Sequence, residues 1–571
     1  MAHDTSATTD QVTERHPRAL APANLILTVL LSVFGALIGI QIIATLGITP
    51  STSLLGALVA MTLSRIPLTI FRGFRNIHAQ NLAQTSISSA TFGAANSLFL
   101  PIGIPFLFGQ PSMIMPMLIG VAAAMLLDAW LLYRMFDTPA FPARRPWPLG
   151  IAAAEAIKAG DQGGAQAKVL FGGIGVGTLG AIFSLPMSAF GVAMIGGFGA
   201  MMAFGIGLLT RAYAKPVAQI DLMALYIPHG MMIGAGLVAL VQVGRVVVSA
   251  HRNGDKDMDD EPEPTSTGKK ASASSAGSSA ASTAAASYAS TAVATADPVN
   301  AASRLGQSLR VGGIGYLIIA ALLAFGTGVF TQMSTAMLIS FVLYATVAAF
   351  VHELIVGIAA MHSGWFPAFA VALITLIIGI MIGFPPAALV VLAGFTAATG
   401  PAFADMGYDL KAGYVLRGGG IDPAFELDGR RQQLIAAMVG FGVAIIAVAA
   451  AYPVFFGRNM TAPIDAAYIA AIKAGVSGET ARSLVIWAIP GAIIQFLGGS
   501  RRQLGVLFAT GLLISTPLAG WMVAGGLVVR IVASKVLGPV ARERLEVFAG
   551  GVIAGDALYS FFSGAVKSLR S

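Results

Sequence analysis

Val342 to Met361 is one of the most apolar stretches of this chain, yet His352 and Glu353 stand side by side within it. A carboxylate at the centre of such a segment costs roughly 2.5 kcal/mol or more by membrane-insertion scales. The cost falls when the group holds a proton, which burial favours. Proton coupling is therefore the chemistry expected of Glu353, with His352 beside it. The plainer alternative is a Glu paired with His352 or with a neighbouring helix. A second group lies in Asn76 to Ser89, where Asn81, Gln84, Thr85 and Ser88 recur at i, i+3, i+4 and i+7. That spacing makes one polar helix face, which must look at protein or water rather than lipid. Its neutral amides and hydroxyls suit a peptide-like substrate, and the face is expected to line a substrate pathway that begins at Asn76. Interhelical hydrogen bonds, worth about 1 kcal/mol each, are the alternative.

Asp405 and Asp409 are four residues apart and share a face if helical, whereas Lys411 falls off that face. Two aspartates and a lysine at a membrane edge suit a gate, a relay or an interfacial ion pair. His229 and Asp556 are further pathway candidates, and Asp128, near a helix end, is a weaker one. The chain has no cysteine, which removes disulfides, thiolate metal sites and cysteine nucleophiles. It also lacks a His-Glu-x-x-His run, so neither an enzyme nor a naked-metal site is expected, and no cofactor. Gly175-Val176-Gly177-Thr178-Leu179-Gly180 fits G-x-G-x-x-G but sits in an apolar helix with no acidic partner downstream. It reads as helix packing.

The elements that must position these groups are membrane helices. The 571 residues are 56% hydrophobic and only 11% charged, too few charges to coat a water-soluble globule. Apolar stretches of about 20 residues follow one another, too long for barrel strands. The net charge of +8 comes from Lys and Arg scattered over loops, as membrane orientation requires, and does not indicate nucleic acid.

Two sequences recur. Pro148 to Gly160 resembles Pro463 to Gly475, both ending in Ala-Ile-Lys-Ala-Gly, and Gly230-x-x-x-Gly234 matches Gly551-x-x-x-Gly555. The chain thus reads as two copies of one unit, a common plan of secondary transporters. Each 13-residue copy is too short to span a bilayer and is expected to be a half-span or an interfacial helix. Pro148 and Pro463 would start these helices and Lys158 and Lys473 would end them, where a cation suits the helix dipole; attraction of an anionic substrate is the alternative for the lysines. Their N-termini are expected to point at the pathway.

The fold expected is an all-α polytopic membrane protein with about 14–16 transmembrane helices in two duplicated halves with half-span helices. Residues 1–20 read as a cytoplasmic tail and 21–250 as the first repeat. Residues 251–303, rich in Ser, Ala and acidic groups, read as a disordered linker. Residues 304–571 read as the second repeat, with an extra helix near 310–330. Spans are expected near 24–46, 51–71, 78–100, 112–134, 167–188, 190–211, 218–247, 310–330, 336–361, 365–384, 386–406, 432–456, 481–499, 504–526 and 548–567.

These motifs together resemble the oligopeptide transporter family, which includes the yellow-stripe-like metal-chelate transporters. The resemblance rests on five signatures in order. Asn76, Asn81, Gln84 and Thr85 meet the first, and Pro148, Gly150 and Ala152 the second. Asp405, Asp409, Leu410, Lys411, Gly413 and Tyr414 meet the third, with Ala404 and Ala412 replacing a Gly and a Thr. Ala462 and Pro463 meet the fourth; Gly551, Ile553, Ala554 and Gly555 the fifth, with Asp556 for Glu. The chain departs from the pattern at Gln80, where an acid is usual, and in an inserted stretch, Ile421 to Gly429. The resemblance implies proton-coupled symport of small oligopeptides, or of metal-chelate complexes. A multi-pass protein of a bacterial inner membrane with a cytoplasmic N-terminus fits the composition; a homodimer is a further expectation.

Overall fold

A computed structural model gives the architecture. It describes residues 16–47, 56, 76–160 (except 146), 165–242 (except 196 and 240), 245, 298–363, 368–475, 478–514 and 516–538. Beyond these it describes 544–545, 547–553, 555–556, 559 and 563. The described residues are helical apart from loops, turns and one isolated bridge between Phe136 and Phe141. Nine of the described helices are long and apolar enough to cross a membrane.

The first half contains α1 (Pro22–Leu46), α2 (Ile77–Phe92), α3 (Leu100–Leu107), α4 (Ile114–Met135), α5 (Pro148–Gly160), α6 (Ala165–Ile182), α7 (Met187–Ile195), α8 (Phe198–Ala218) and α9 (Ile227–Ala239). The second contains α10 (Pro298–Gly326), α11 (Thr335–Ser363), α12 (Ala368–Ile382), α13 (Pro386–Ala398), α14 (Pro401–Leu416), α15 (Pro423–Phe456), α16 (Asp465–Ala474), α17 (Gly478–Arg502), α18 (Leu504–Leu513) and α19 (Pro517–Leu537). A helical stretch at 547–553 follows.

Several expected boundaries move, each for a local reason. The span near 78–100 runs on to Leu107, because a π-helical stretch, Gly93–Phe99, widens the helix ahead of Pro101. Pro101 cannot donate a backbone hydrogen bond, and a widened turn absorbs that loss. The span near 386–406 is two helices, broken at Thr399 and Gly400, where Gly400 takes φ 91° and Pro401 starts α14. Only glycine adopts that φ without strain. The stretch near 190–211 likewise divides into α7 and α8, and that near 504–526 into α18 and α19, the latter opened by Pro517. The inserted stretch is not a loop throughout. Asp422 accepts from Ala424 N and Phe425 N, and α15 starts at Pro423. Helix α10 begins at Pro298, inside the expected linker; the rest of that linker, and nearly all of the span near 51–71, lie outside the described residues. Pro148 starts α5, but Pro463 lies in a turn two residues before α16.

Burial sorts the helices into centre and rim. The stretch Pro386–Leu416 is 100% buried and Ile77–Leu107 is 83% buried over their most apolar windows, against 17% for Ala481–Gly499 and 22% for Pro517–Val536. The rim helices expose apolar stripes, such as Ile314, Ile318 and Leu322 on α10 and Ile489, Ile493 and Phe496 on α17. In water this surface would be costly; against lipid tails it is at home. The two interrupted helices thus form the centre of the molecule.

Contacts recur with the partners exchanged. Helix α2 packs on α15 and α14 on α4; α5 packs on α14 and α16 on α3; α7 packs on α19 and α18 on α8. The glycine motifs follow the same rule. A side chain at Gly173 or Gly177 of α6 would collide with the backbone of Phe548 or Val552, and one at Gly234 of α9 with the backbone of Ala488 in α17. Glycine is required at these points because the helix backbones touch.

Candidate functional site

The polar face of α2 and the C-terminal half of the second broken helix, α14, meet at the molecular centre. Gln84 Nε2 donates to Asp409 Oδ1 (2.5 Å), and Ser88 Oγ donates to Asp405 Oδ1 (2.7 Å). Asn81 Nδ2 donates to Gln84 Oε1 (2.9 Å), while Asn81 Oδ1 has no hydrogen-bond partner among the described residues. The i, i+4 spacing of the aspartates therefore matches one helical face to another across 317 and 325 residues of sequence. All five side chains are buried.

The track continues through α15. Gln433 Nε2 donates to the Asp409 carbonyl (2.6 Å) and to Thr85 Oγ1 (3.3 Å), and Gln433 Oε1 accepts from Arg417 Nη1 (2.9 Å). Arg417 grips Glu426 with Nε (2.7 Å) and Nη2 (3.2 Å); Arg430 Nε adds a bond of 2.7 Å to the same carboxylate and reaches Asp137 through Nη2 (3.1 Å). Glu426 thus holds two guanidinium groups, and the charges are hydrogen-bonded as buried charges must be. Side chains at Gly413 and Gly429 would collide with Gln433 or Arg417, so both glycines make room for this cluster.

A second polar cluster pins the break in the α13–α14 helix. Asp128 of α4 accepts from the Gly400 backbone N–H through Oδ2 (2.6 Å) and from the Tyr316 hydroxyl of α10 through Oδ1. His352 of α11 brings Nδ1 within 3.3 Å of Thr399 Oγ1 and Nε2 within 2.8 Å of the Ala368 carbonyl. Glu353, fully buried, lies where the charge of Asp128 and the hydroxyl of Tyr316 both act on it. His352 and Glu353 therefore serve different neighbours and do not form an ion pair with each other. Asp128 is not near a helix end but two turns inside α4, fully buried.

The remaining candidates have separate places. Asn76 is an exposed N-cap whose Oδ1 accepts from His78 N (2.8 Å) and Ala79 N (3.4 Å), outside the buried track. Lys411, off the aspartate face as its spacing predicts, donates to the Ala143 carbonyl (2.8 Å) and lies over the Tyr414 ring (5.3 Å). Asp556 takes both the backbone N–H and the hydroxyl of Ser188 on one oxygen (2.6 Å each), an N-terminal cap of α7. His229 is buried beside Tyr226, far in sequence from any track residue. Lys158 and Lys473 occupy the last turns of α5 and α16, as expected for cations at a helix C-terminus.

Sequence reading missed Tyr316, Arg417, Glu426, Arg430, Gln433 and Asp137. The Arg417–Glu426–Arg430 spacing was the available signal, since Glu426 and Arg430 are four apart on one helix. Among the described residues there is no group of three or more His, Cys, Asp or Glu able to hold a metal ion.

A buried carboxylate pair on a broken helix, facing an amide and hydroxyl face at the centre of a polytopic bundle, is what a carrier of small polar solutes needs. Comparison with known families agrees. The model of the OPT oligopeptide transporter proteins matches residues 20–251 and 223–566. The chain belongs to the oligopeptide transporter family. It is a multi-pass membrane transporter rather than an enzyme. No curated protein matches it.

Proposed function

We propose that this oligopeptide transporter family member is a proton-coupled symporter that imports small oligopeptides across the plasma membrane, with its N-terminus on the cytoplasmic side. The observation that carries the reading is the pairing of Asp405 and Asp409 with Ser88 and Gln84 across the two interrupted helices. Carboxylates recognise a peptide amino terminus, and amides recognise its backbone. In the present conformation the two faces bond to each other, and on this reading substrate replaces those bonds when the helices part.

Proton coupling is supported by the cluster at the helix break. Glu353, Asp128 and Tyr316 share a buried space at the bend of Thr399 and Gly400. Two ionised carboxylates there would repel each other in a low-dielectric interior. A proton held by this group, and its release, would change how Asp128 holds the Gly400 N–H and so bias the bend.

Uptake into proteoliposomes under an imposed pH gradient tests the reading, with a labelled peptide pool spiked with a ferric chelate. Peptide accumulation that collapses with a protonophore is expected; accumulation of the chelate alone would move the protein to the metal-chelate branch. Glu353→Gln should keep binding and exchange but lose concentrative uptake. A Glu353→Gln protein that still concentrates substrate would remove Glu353 from the coupling mechanism.

A further inference from the structure

The half-helices α5 and α16 are not chemically equivalent: α5 carries Glu155 where α16 has Ala470, and the two copies also differ where each crosses a broken helix. In the repeated sequence, Gly150 of the first copy stands where Asp465 stands in the second. Gly150 faces α14, and a side chain there would collide with the Tyr408 carbonyl and crowd Lys411 Cβ at 2.8 Å. Asp465 faces the corresponding segment of the other broken helix, α3, where glycine occupies the helix instead: a side chain at Gly103 would collide with Asp465 Oδ2. One glycine thus makes room at each crossing. At the second crossing the room is filled by a carboxyl group.

That carboxyl is 0% exposed, and neither of its oxygens has a hydrogen-bond partner among the described residues. Among the described residues, no cation acts on it. Helices α3, α12 and α13, all packed on α16, carry no titratable side chain in their described spans. The fourth neighbour, α17, carries Glu479 and Arg482 near its exposed start and Arg501 and Arg502 at its far end, and α16 itself contributes Tyr468, beside the carboxyl, and Lys473 in its exposed last turn. An isolated carboxylate so placed would cost many times the stability of a typical interaction, so the group rests there as the neutral acid. Its supports for a charged state are the Ala462 backbone N–H, which acts on the carboxyl, and its position at the first residue of α16, where the helix dipole favours an anion. A group of this kind holds a proton while the crossing is closed and gives it up when the crossing opens to water.

We propose that Asp465 is a proton-carrying site of the transport cycle, loaded when α16 closes on α3 at Gly103 and emptied when the two helices separate. The bonds that change are the carboxyl O–H, broken on opening, and an O–H of the water that receives the proton. Hydrated metal or sodium ions are poor occupants here, because such ions need several oxygen ligands, whereas a proton needs one. The inference rests on the proton-coupled reading and adds a second site, 112 residues beyond Glu353 in sequence, packed against the other broken helix.

The test compares wild-type protein with Asp465→Asn, an uncharged isostere, and Asp465→Glu, which keeps the acid. In substrate-free proteoliposomes on a solid-supported membrane, a pH jump should displace charge in the wild type and in Asp465→Glu. In Asp465→Asn the displacement should fall by about half if Glu353 supplies the remainder. Infrared difference spectra over the same jump should lose one protonated-carboxyl band in Asp465→Asn, a readout that does not require turnover. An unchanged displacement together with an unchanged carboxyl band in folded Asp465→Asn would overturn the proposal. Wild-type uptake that ignores protonophores would instead overturn the proton-coupled reading. Charge displacement that follows sodium and not pH would overturn the identity of the ion.

Discussion

Gln84 is bonded on both sides of its amide, to Asn81 within α2 and to Asp409 across to α14. Its removal should leave Asp409 less well oriented toward a substrate amine and weaken binding by roughly 1 kcal/mol, as for one net hydrogen bond. Competition of labelled peptide uptake in Gln84→Ala measures this; unchanged affinity would assign the α2 face to packing. Arg417 is a different case. It is buried against Glu426 and also anchors Gln433, which orders Thr85 and the Asp409 carbonyl. Arg417→Ala leaves Glu426 with Arg430 alone and should cost about 3–5 kcal/mol, as for one partner removed from a buried ion cluster. A lowered melting temperature in detergent is the expected readout, and a melting temperature within error of the wild type would contradict the buried cluster.

At the scale of elements, the segment before α1 is packed rather than loose. His16 lies with its ring centroid 5.3 Å from those of both His78 and Phe425, and Ala19 N donates to Gln432 Oε1 (3.0 Å). The segment lines, with Arg18, Asp428, Arg431, Gln432 and Ile435, an open cavity of about 450 Å³ at the end of α15 that carries the Arg–Glu cluster. Burial holds the His16 imidazole below its ordinary value of 6.5; Arg417 pushes the same way, while the Pro17 carbonyl, Asp428 and Glu426 oppose. The docked state therefore prefers the neutral ring. Its stability should be complete above 6.5 and decline as the pH falls below that value, because the undocked segment then binds the proton more readily. Protection factors of residues 16–21, corrected for the slower intrinsic exchange at lower pH, should fall on acidification and stay constant in His16→Phe. An equal fall in both proteins would place the sensitivity elsewhere.

The whole molecule is held by interlocked halves. Helix α6 of the first half packs against residues 548–552, and α9 packs against α17, so each half closes on a glycine motif of the other. The polar tract between them contributes only composition to the sequence argument. Co-expressed fragments 1–270 and 271–571 should accordingly co-purify and transport, because the exchanged helix contacts hold the two halves together. Fragments that separate in mild detergent would show that the exchanged contacts do not carry the assembly.

The sequence by itself determined the class of structure and most of the track. A surplus of apolar residues leaves no alternative to membrane helices, and period-3.6 spacing places Asn81, Gln84, Thr85 and Ser88 on one face and Asp405 and Asp409 on another. Both rules are local, acting within a few turns of one helix. That the two faces meet each other was beyond them, because the partners are more than 300 residues apart and no local rule sets that distance. The break at Gly400 is similar: glycine and proline in line permit it, but Asp128, Tyr316 and His352 hold it, and they come from three different helices. Asp556 and Asn76 show the converse. Both matched family signatures, yet one caps α7 and the other caps α2, since a helix terminus has unsatisfied N–H groups whatever the function of the chain. Asp465 was visible in the sequence only as one mismatch within a repeat; its meaning appears once packing buries it away from every cation among the described residues. Pattern and composition thus specified which groups are present and which way each helix turns them, and only the tertiary packing decided which carboxyl groups are paired, which cap a helix and which stands alone.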